Sequence, residues 1–165
     1  EDPLRSENIG SYHNLRRHVA VPLGVGEHYA SKWEFRELIE NDLINYARID
    51  LCLVGGLTEA RKVSGWAETH YINIAPHNPL GPVSASACLH LDLATPNFGV
   101  QEMPGKPGIL SDVFPVQCEW KDGYLLPPDR PGLGVTFDED AALKHPYQAV
   151  VAPMLHRQDG AFTNW

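Results

Sequence analysis

The chain has 165 residues, of which 43% are hydrophobic and 21% are charged, so it is long enough for one domain with a sizeable core. Its formal net charge of −8 disfavours nucleic acid as a partner, because phosphates require clusters of Lys and Arg. No apolar run approaches the roughly 20 residues of a membrane span, and the N-terminus does not resemble a signal peptide. The three cysteines are odd in number and lack metal-type spacing, which predicts reduced thiols in a cytoplasmic protein.

Helices and strands are predicted to alternate along the first 102 residues. Apolar residues recur at helical spacing in four stretches, at about 9–18, 32–44, 58–70 and 84–91. Short apolar runs predict strands at about 18–25, 46–54, 71–75 and 97–102. Thr58 is expected to cap the third helix. This alternation favours an α/β fold with a parallel sheet.

The composition changes after Glu102, where Pro and Gly become dense and helical periodicity disappears. Residues 114–116 and 123–126 could pair as short strands, and 138–145 could form one short helix. We interpret residues 103–165 as an extended segment lying over another part of the protein, and not as a second domain.

Polar residues stand at the ends of successive predicted strands. They are Glu1, Glu27, Asp50, His77 and Glu102, at separations of 26, 23, 27 and 25 residues. About 25 residues is the length of one strand, one helix and two short loops. Because the carboxyl ends of parallel strands meet on one face of a barrel, the spacing predicts one site with four carboxylates and one imidazole.

These residue types suit a particular reaction. Glu1 and Glu27 would make an oxygen-rich Mg²⁺ site, in which a substrate carboxylate could complete the coordination. Asp50 would accept an N–H from His77 and fix its tautomer, leaving the other ring nitrogen free to take a proton. Glu102 could donate a hydrogen bond to an enolate oxygen in its protonated form. Together they predict proton abstraction alpha to a carboxylate.

Less specific interpretations remain open from the residues alone. A single strand-end Glu is more often solvated, a single His is more often structural, and Asp50 could cap a nearby helix. His28 and Asn78 flank the candidates and could either line the pocket or face outward. A Cys/His zinc site is disfavoured because CxxC and HxxxH are absent, and Gly55-Gly56 lacks the rest of a nucleotide-binding motif.

Several short motifs resemble the enolase superfamily. They are Glu1-Asp2-Pro3, Gly26-Glu27-His28, Ile49-Asp50-Leu51 with Gly55-Gly56, Ala75-Pro76-His77 with Pro79-Leu80-Gly81-Pro82, and Val100-Gln101-Glu102. Within it, residues 1–102 are most similar to galactonate dehydratases of the mandelate racemase-like group. The tail is more similar to that of mannonate dehydratases, through Asp122-Gly123-Tyr124, Pro131-Gly132-Leu133-Gly134, Asp159-Gly160 and Trp165.

The resemblance implies a (β/α)₇β barrel, similar to a TIM barrel, with an α+β capping domain. Residues 1–102 would be the C-terminal half of the barrel, and residues 103–165 would pack on the barrel or on the capping domain. On this resemblance, the first barrel half and the N-terminal capping domain would be absent from this chain. We therefore expect the chain to be the C-terminal part of a polypeptide of roughly 400 residues, within the range of barrel enzymes.

The resemblance also implies roles for the strand-end residues. Glu1 and Glu27 would be Mg²⁺ ligands, and Asp50 with His77 would form a catalytic dyad. His77 would remove the C2 proton of an aldonate, and Glu102 would stabilise the enediolate. Loss of the 3-hydroxyl would give a 2-keto-3-deoxy acid, which makes the protein a lyase.

Substrate contacts are expected from His77, Glu102 and His28. Galactonate dehydratases usually carry Gly-Glu-Arg where this chain has Gly-Glu-His, so the resemblance does not determine which sugar acid is the substrate. Mannonate dehydratases usually lack the Asp of the dyad, which is present here as Asp50. The first metal ligand and the second acid/base group would lie before residue 1.

The expected partners are a small sugar acid, the remainder of the same polypeptide and further copies in a homo-oligomer. Neither nucleic acid nor a membrane is expected as a partner.

Two alternative functions remain. One is a hydroxy-acid racemase or epimerase of the same superfamily, and the other is a non-catalytic regulatory or binding protein on the same scaffold.

Overall fold

The computed structural model describes residues 1–105, 108–150 and 154–163. The helices are α1 (Ser11–His18), α2 (Lys32–Glu40), α3 (Leu51–Val54), α4 (Gly56–Glu68), α5 (Pro82–Leu93) and α6 (Glu139–Ala142). The strands are β1 (Gly24–Val25), β2 (Tyr46–Ala47), β3 (Asn73–Ile74), β4 (Trp120–Lys121), β5 (Tyr124–Leu125), β6 (Leu155–His156) and β7 (Phe162–Thr163). Within these ranges, none of the helices has the length and apolar character needed to cross a membrane.

Strands β1, β2 and β3 form a parallel sheet in that order. Ala47 lies opposite Ile74, and an isolated bridge between Asp50 and His77 continues the ladder beyond β2 and β3. Phe98 bridges Ile74 on the far side of β3, so that a fourth segment runs parallel to the sheet. Because all of these segments run in the same direction, their carboxyl ends lie at one edge, as the sequence predicts.

The core lies between this sheet and the helices that cross over it. Helices α2 and α4 bury one side each, where apolar residues recur at intervals of three and four, and α5 is buried over most of its surface. The core includes Val25, Phe35, Leu38, Ile39, Ala47, Ile49, Ala60, Val63, Ile74, Cys88 and Leu91. Removing these side chains from water is the main favourable contribution to folding of this part of the chain.

All four predicted strands are shorter than expected, and the physical reason is clear for the first two. Only Gly24–Val25 of residues 18–25 pairs with β2, since Pro22 has no N–H and the N–H of Leu23 bonds to the Asn45 side chain. Residues 51–54, predicted as strand, form helix α3. The Asp50 carboxylate accepts hydrogen bonds from the first N–H groups of that helix and so stabilises its start.

Helix boundaries also differ from the predictions. Helix α2 ends at Glu40 because the chain turns at Asp42, whose φ of 52° lies in the left-handed region. Helix α4 begins at Gly56, so the prediction that Thr58 caps it is wrong. Gly55 has a φ of 109°, a conformation that glycine adopts readily, and this allows α3 to lead directly into α4.

The segment after residue 103 contains a hairpin in which residues 124–125 pair with a different strand from the one predicted. Strand β5 pairs antiparallel with β4 and not with residues 114–116. The two-residue loop Asp122-Gly123 has positive φ at both positions, 51° and 84°, which is typical of a tight hairpin turn. Val116 instead bridges Thr136.

This segment contacts the barrel half through α5. The Ser86 hydroxyl of α5 lies 3.1 Å from the Cys118 sulfur. Helix α6 falls inside the predicted range 138–145, and Asp138 caps it by accepting a hydrogen bond from the Ala141 N–H. Trp165, part of the tail motif, lies outside the described residues.

Candidate active site

Asp50 and His77 form a hydrogen-bonded pair at the carboxyl ends of adjacent parallel segments. Oδ2 of Asp50 lies 2.9 Å from Nδ1 of His77. Oδ1 of Asp50 accepts the N–H groups of Cys52 and Leu53 at 2.7 and 3.0 Å. The two interpretations of Asp50 that the sequence left open, helix cap and partner of His77, are therefore both correct, one for each oxygen.

The tautomer of His77 follows from this pair. An ionised carboxylate only accepts hydrogen bonds, so Nδ1 of a neutral His77 must carry the hydrogen and Nε2 must carry the lone pair. Nε2 lies 3.5 Å from Oε2 of Glu27. The ring nitrogen that can take a proton therefore faces the predicted metal ligand.

Three carboxylates converge beside His77. One oxygen each from Glu1, Asp2 and Glu27 lies within 4.8 Å of the others. Burial raises the pKa of Glu27, a hydrogen bond with Glu1 acts in the same direction, and the charge of His77 opposes both. Burial also raises the pKa of Asp2.

This donor set fits a hard divalent cation. All three groups offer oxygen, the ligand that Mg²⁺ prefers, and a cation among them would offset the repulsion that disfavours the ionised forms of Asp2 and Glu27. Sequence reasoning selected Glu1 and Glu27 but missed Asp2. Its position next to Glu1 in the same strand-end motif was the available signal.

Arg48 is the second residue that sequence reasoning missed. It is only 6% exposed, and its guanidinium bonds through Nε to Oε1 of Glu1 at 2.8 Å and through Nη2 to Oε2 of Glu102 at 2.6 Å. The signal was an arginine inside a buried apolar run, where a charged residue requires partners. It lies two positions before Asp50, and residues at that spacing point to the same side of an extended segment.

Glu102 lies on the other side of Arg48 from Glu1. Its Oε2 also accepts the backbone N–H of Asn78 at 3.0 Å. Burial raises the pKa of Glu102, but the hydrogen bonds from Arg48 and Asn78, together with the charges of Arg48 and His77, outweigh burial and lower it overall. These contacts favour the ionised carboxylate of Glu102, and the predicted role of Glu102 as a protonated donor stays a prediction.

The two flanking residues have different surroundings. The Asn78 side chain is completely buried, and the Asn78 backbone N–H donates to Glu102. His28 is half exposed, and its Nε2 lies 3.3 Å from Oε1 of Glu27. The structure thus brings the His28 ring to the carboxylates and the Asn78 backbone to Glu102. Each of the five strand-end residues that the sequence predicted takes part in these contacts. His77 contacts Asp50 and Glu27. Arg48 contacts Glu1 and Glu102.

Relatives with named activities align with this chain over its whole length. A D-mannonate dehydratase of Caulobacter vibrioides is 39% identical over 167 residues, covering 100% of this chain and 41% of the relative. A D-galactonate dehydratase family member of Streptomyces bingchenggensis is 38% identical, with the same coverage. The chain therefore spans about two fifths of the length of these relatives, which are named as sugar-acid dehydratases.

Solved structures superpose on the same fold. An enolase from Pantoea ananatis with bound D-gluconate and Mg is 36% identical with a TM-score of 0.85, over 90% of this chain and 36% of the other. An enolase from Agrobacterium radiobacter with bound Na and L-malate is 32% identical with a TM-score of 0.88, over 98% of this chain and 45% of the other. These superpositions confirm the predicted fold class, the C-terminal half of an enolase-superfamily barrel.

The family model described as "Enolase C-terminal domain-like" matches residues 1–141, which include every residue of the site described above. Together with the parallel βα units, this match shows that the chain belongs to the enolase C-terminal domain-like family.

Proposed function

We propose that this chain is part of a sugar-acid dehydratase, a hydro-lyase that converts an aldonate into a 2-keto-3-deoxy acid. The observation that carries the proposal is the position of His77. One ring nitrogen is held by Asp50 at 2.9 Å, and the other faces Glu27 at 3.5 Å. A base is thereby directed at the place where a cation-bound carboxylate would present its alpha proton.

His77 takes the proton from C2 of the substrate on Nε2. Asp50 stabilises the imidazolium that results, because its buried carboxylate lies against Nδ1–H. The electron pair of the broken C2–H bond forms a C2=C3 double bond as the hydroxyl group on C3 departs. That hydroxyl takes a proton and leaves as water, and the enol tautomerises to the 2-keto-3-deoxy acid.

Glu102, which Arg48 holds in place, binds and orients the substrate in this proposal. Both donors to Glu102 end on Oε2, and no described residue donates a hydrogen bond to Oε1. Oε1 is therefore available to accept a hydrogen bond from a substrate hydroxyl. His28, at the half-exposed edge of the carboxylate cluster, is placed to contact the sugar chain.

Glu1, Asp2 and Glu27 are the residues of this chain that would hold Mg²⁺. When bound, the cation would polarise the substrate carboxylate and make the proton alpha to it more acidic. The solved enolase with bound D-gluconate and Mg, similar to this chain over 90% of its length, supports this assignment.

The proposed substrate class is the aldonates. The relatives are named for D-mannonate and D-galactonate, and the Pantoea structure contains D-gluconate. Galactonate remains the first substrate to test, because Asp50 gives this chain the dyad on which the resemblance to galactonate dehydratases depends.

The remainder of the site would come from residues outside this chain, which spans about 41% of its relatives. Those residues would supply a further metal ligand and the acid that protonates the departing hydroxyl. Residues 1–102 would serve as the C-terminal barrel half and residues 103–165 as a segment packed on it. The apolar side chains of Phe98 and Val100, 42% and 59% exposed at the sheet edge, support a covering partner there. A homo-oligomer remains a prediction.

The test is incubation of the full-length protein with Mg²⁺ and D-galactonate, D-mannonate or D-gluconate. We expect release of a 2-keto-3-deoxy acid from at least one of them. In D₂O, His77→Asn should lower exchange of the C2 proton by on the order of 10²-fold or more, while Mg²⁺ binding persists.

His70→Asn is the matched control, because His70 is paired with Asp42 on the surface and lies outside the site. Racemisation without loss of water would favour the racemase alternative over the dehydratase. Exchange that persists in His77→Asn would show that His77 is not the base.

A further inference from the structure

Arg48 joins three parts of the candidate site through one guanidinium. Besides Glu1 and Glu102, it donates through Nη1 to the carbonyl oxygen of Ala75 at 2.8 Å and more weakly to that of Pro76 at 3.4 Å. We propose that Arg48 is a positioning residue that couples cation binding at Glu1 to the orientation and charge of Glu102. The proposal rests on the assignment of Glu1 to a cation site.

The geometry of the guanidinium makes this coupling specific. Its N–H groups lie in one plane in a rigid fork, so the directions toward Glu1 and Glu102 are fixed relative to each other. The two carbonyls hold the plane against the segment that ends in His77. Movement of either carboxylate must therefore be accommodated by the other or by Arg48.

Burial makes the coupling strong. Arg48 is only 6% exposed, so water cannot replace a partner that is lost. Glu102 offsets the positive charge of Arg48 beside the cation site. Without that negative charge, Arg48 would bind Glu1 more strongly and would repel a cation placed between Glu1 and Glu27.

Loss of the negative charge of Glu102 should therefore lower the affinity of the site for Mg²⁺. Glu102 does not belong to the cluster of possible cation ligands, yet Glu102→Gln should weaken Mg²⁺ binding. Linkage requires the converse, so bound Mg²⁺ should favour the ionised, hydrogen-bonded form of Glu102. A residue that served only to stabilise the fold would not transmit a change at Glu102 to the cation site.

The experiment is a double-mutant cycle on the full-length protein, with Mg²⁺ affinity measured by isothermal titration calorimetry in the absence of substrate. We expect Glu102→Gln to weaken Mg²⁺ binding about fivefold or more in the presence of Arg48. When Arg48 is replaced by Met, Glu102→Gln should change the logarithm of the Mg²⁺ dissociation constant by less than about half as much.

Arg48→Lys keeps the positive charge and loses the fork, so it should weaken Mg²⁺ binding about tenfold or more, as loss of a partner behind a metal ligand commonly does. Lys also replaces Met in the cycle if Arg48→Met does not fold. Arg36→Lys is the matched control, because Arg36 pairs with Glu40 on the surface of α2 and should leave the affinity unchanged.

Equal effects of Glu102→Gln with and without Arg48 would overturn the coupling. Unchanged Mg²⁺ affinity in Glu102→Gln would do the same. A protein that shows the coupling but dehydrates no aldonate would retain this inference and lose the proposed function, whereas a wild-type protein that binds no divalent cation would lose both.

Discussion

Oδ2 of Asp50 lies 2.9 Å from Nδ1 of His77, while Oδ1 of the same carboxylate caps helix α3. One side chain thus links the predicted base to the local fold of the segment that follows it. The two backbone N–H groups hold the carboxylate in one orientation, so the His77 ring has a fixed acceptor.

Asp50→Asn and Asp50→Ala should separate these two roles. The Asn amide oxygen can still cap α3, but its NH₂ group cannot accept the His77 N–H, so C2 proton exchange should fall by on the order of 10²-fold with little change in stability. Asp50→Ala should lower exchange similarly and also lower the free energy of unfolding by about 1 kcal/mol. Exchange is measured by NMR in D₂O and stability by urea unfolding.

The control for the capping role is Asp138→Ala, since Asp138 caps α6 through Ala141 and has no contact with the site. It should lose stability without losing exchange. Full exchange in Asp50→Asn would remove Asp50 from the proposed dyad.

Gly26, immediately before Glu27, should not tolerate a side chain. Its φ is +134°, and a Cβ built there would lie 2.4 Å from the ring of Phe35, which is fully buried. Gly26→Ala combines backbone strain with a displaced core ring, so the free energy of unfolding should fall by about 2 kcal/mol or more.

Gly65→Ala is the opposite case. Gly65 lies in α4, and a Cβ there would meet no atom within 4 Å. Alanine has the higher helix propensity, so this variant should gain about 0.5–1 kcal/mol. Urea unfolding of both variants tests the pair, and a Gly26→Ala protein as stable as the wild type would contradict the close approach of Phe35.

Asp92 should make stability depend on pH. It is 7% exposed in the last turn of α5, and neither of its carboxyl oxygens has a hydrogen-bond partner among the described residues. Burial raises its pKa to about 8 from 3.8. Between these values the folded protein retains a proton that the unfolded chain has lost, so stability falls as pH rises.

The expected slope is about −1.4 kcal/mol for each pH unit between pH 5 and 7, and Asp92→Asn should remove this contribution. Urea unfolding at pH 5, 6 and 7 measures the difference between the two proteins. Asp140→Asn on exposed α6 serves as the control and should leave the slope unchanged. The same slope in wild type and Asp92→Asn would show that Asp92 ionises normally in the folded state.

The alternation of strands and helices and the five strand-end residues from Glu1 to Glu102 can be predicted from the sequence alone. Both follow from local patterns, since apolar periodicity and a spacing of about 25 residues depend only on neighbours along the chain. The Asp122-Gly123 turn is equally local, but the prediction paired residues 123–126 with residues 114–116 and did not use it. A hairpin turn specifies the residues directly on either side of it.

The partners that hold these residues and shift their pKa values come from tertiary contacts. Arg48 bonds to Glu1 and Glu102, which are 47 and 54 residues away, and no local pattern specifies partners at that distance. The pKa of Glu102 also depends on folding, because burial raises it and the donors that folding brings to the carboxylate lower it overall. Residue types at strand ends indicate which chemistry is available, and the partners that packing supplies determine which protonation state each group adopts.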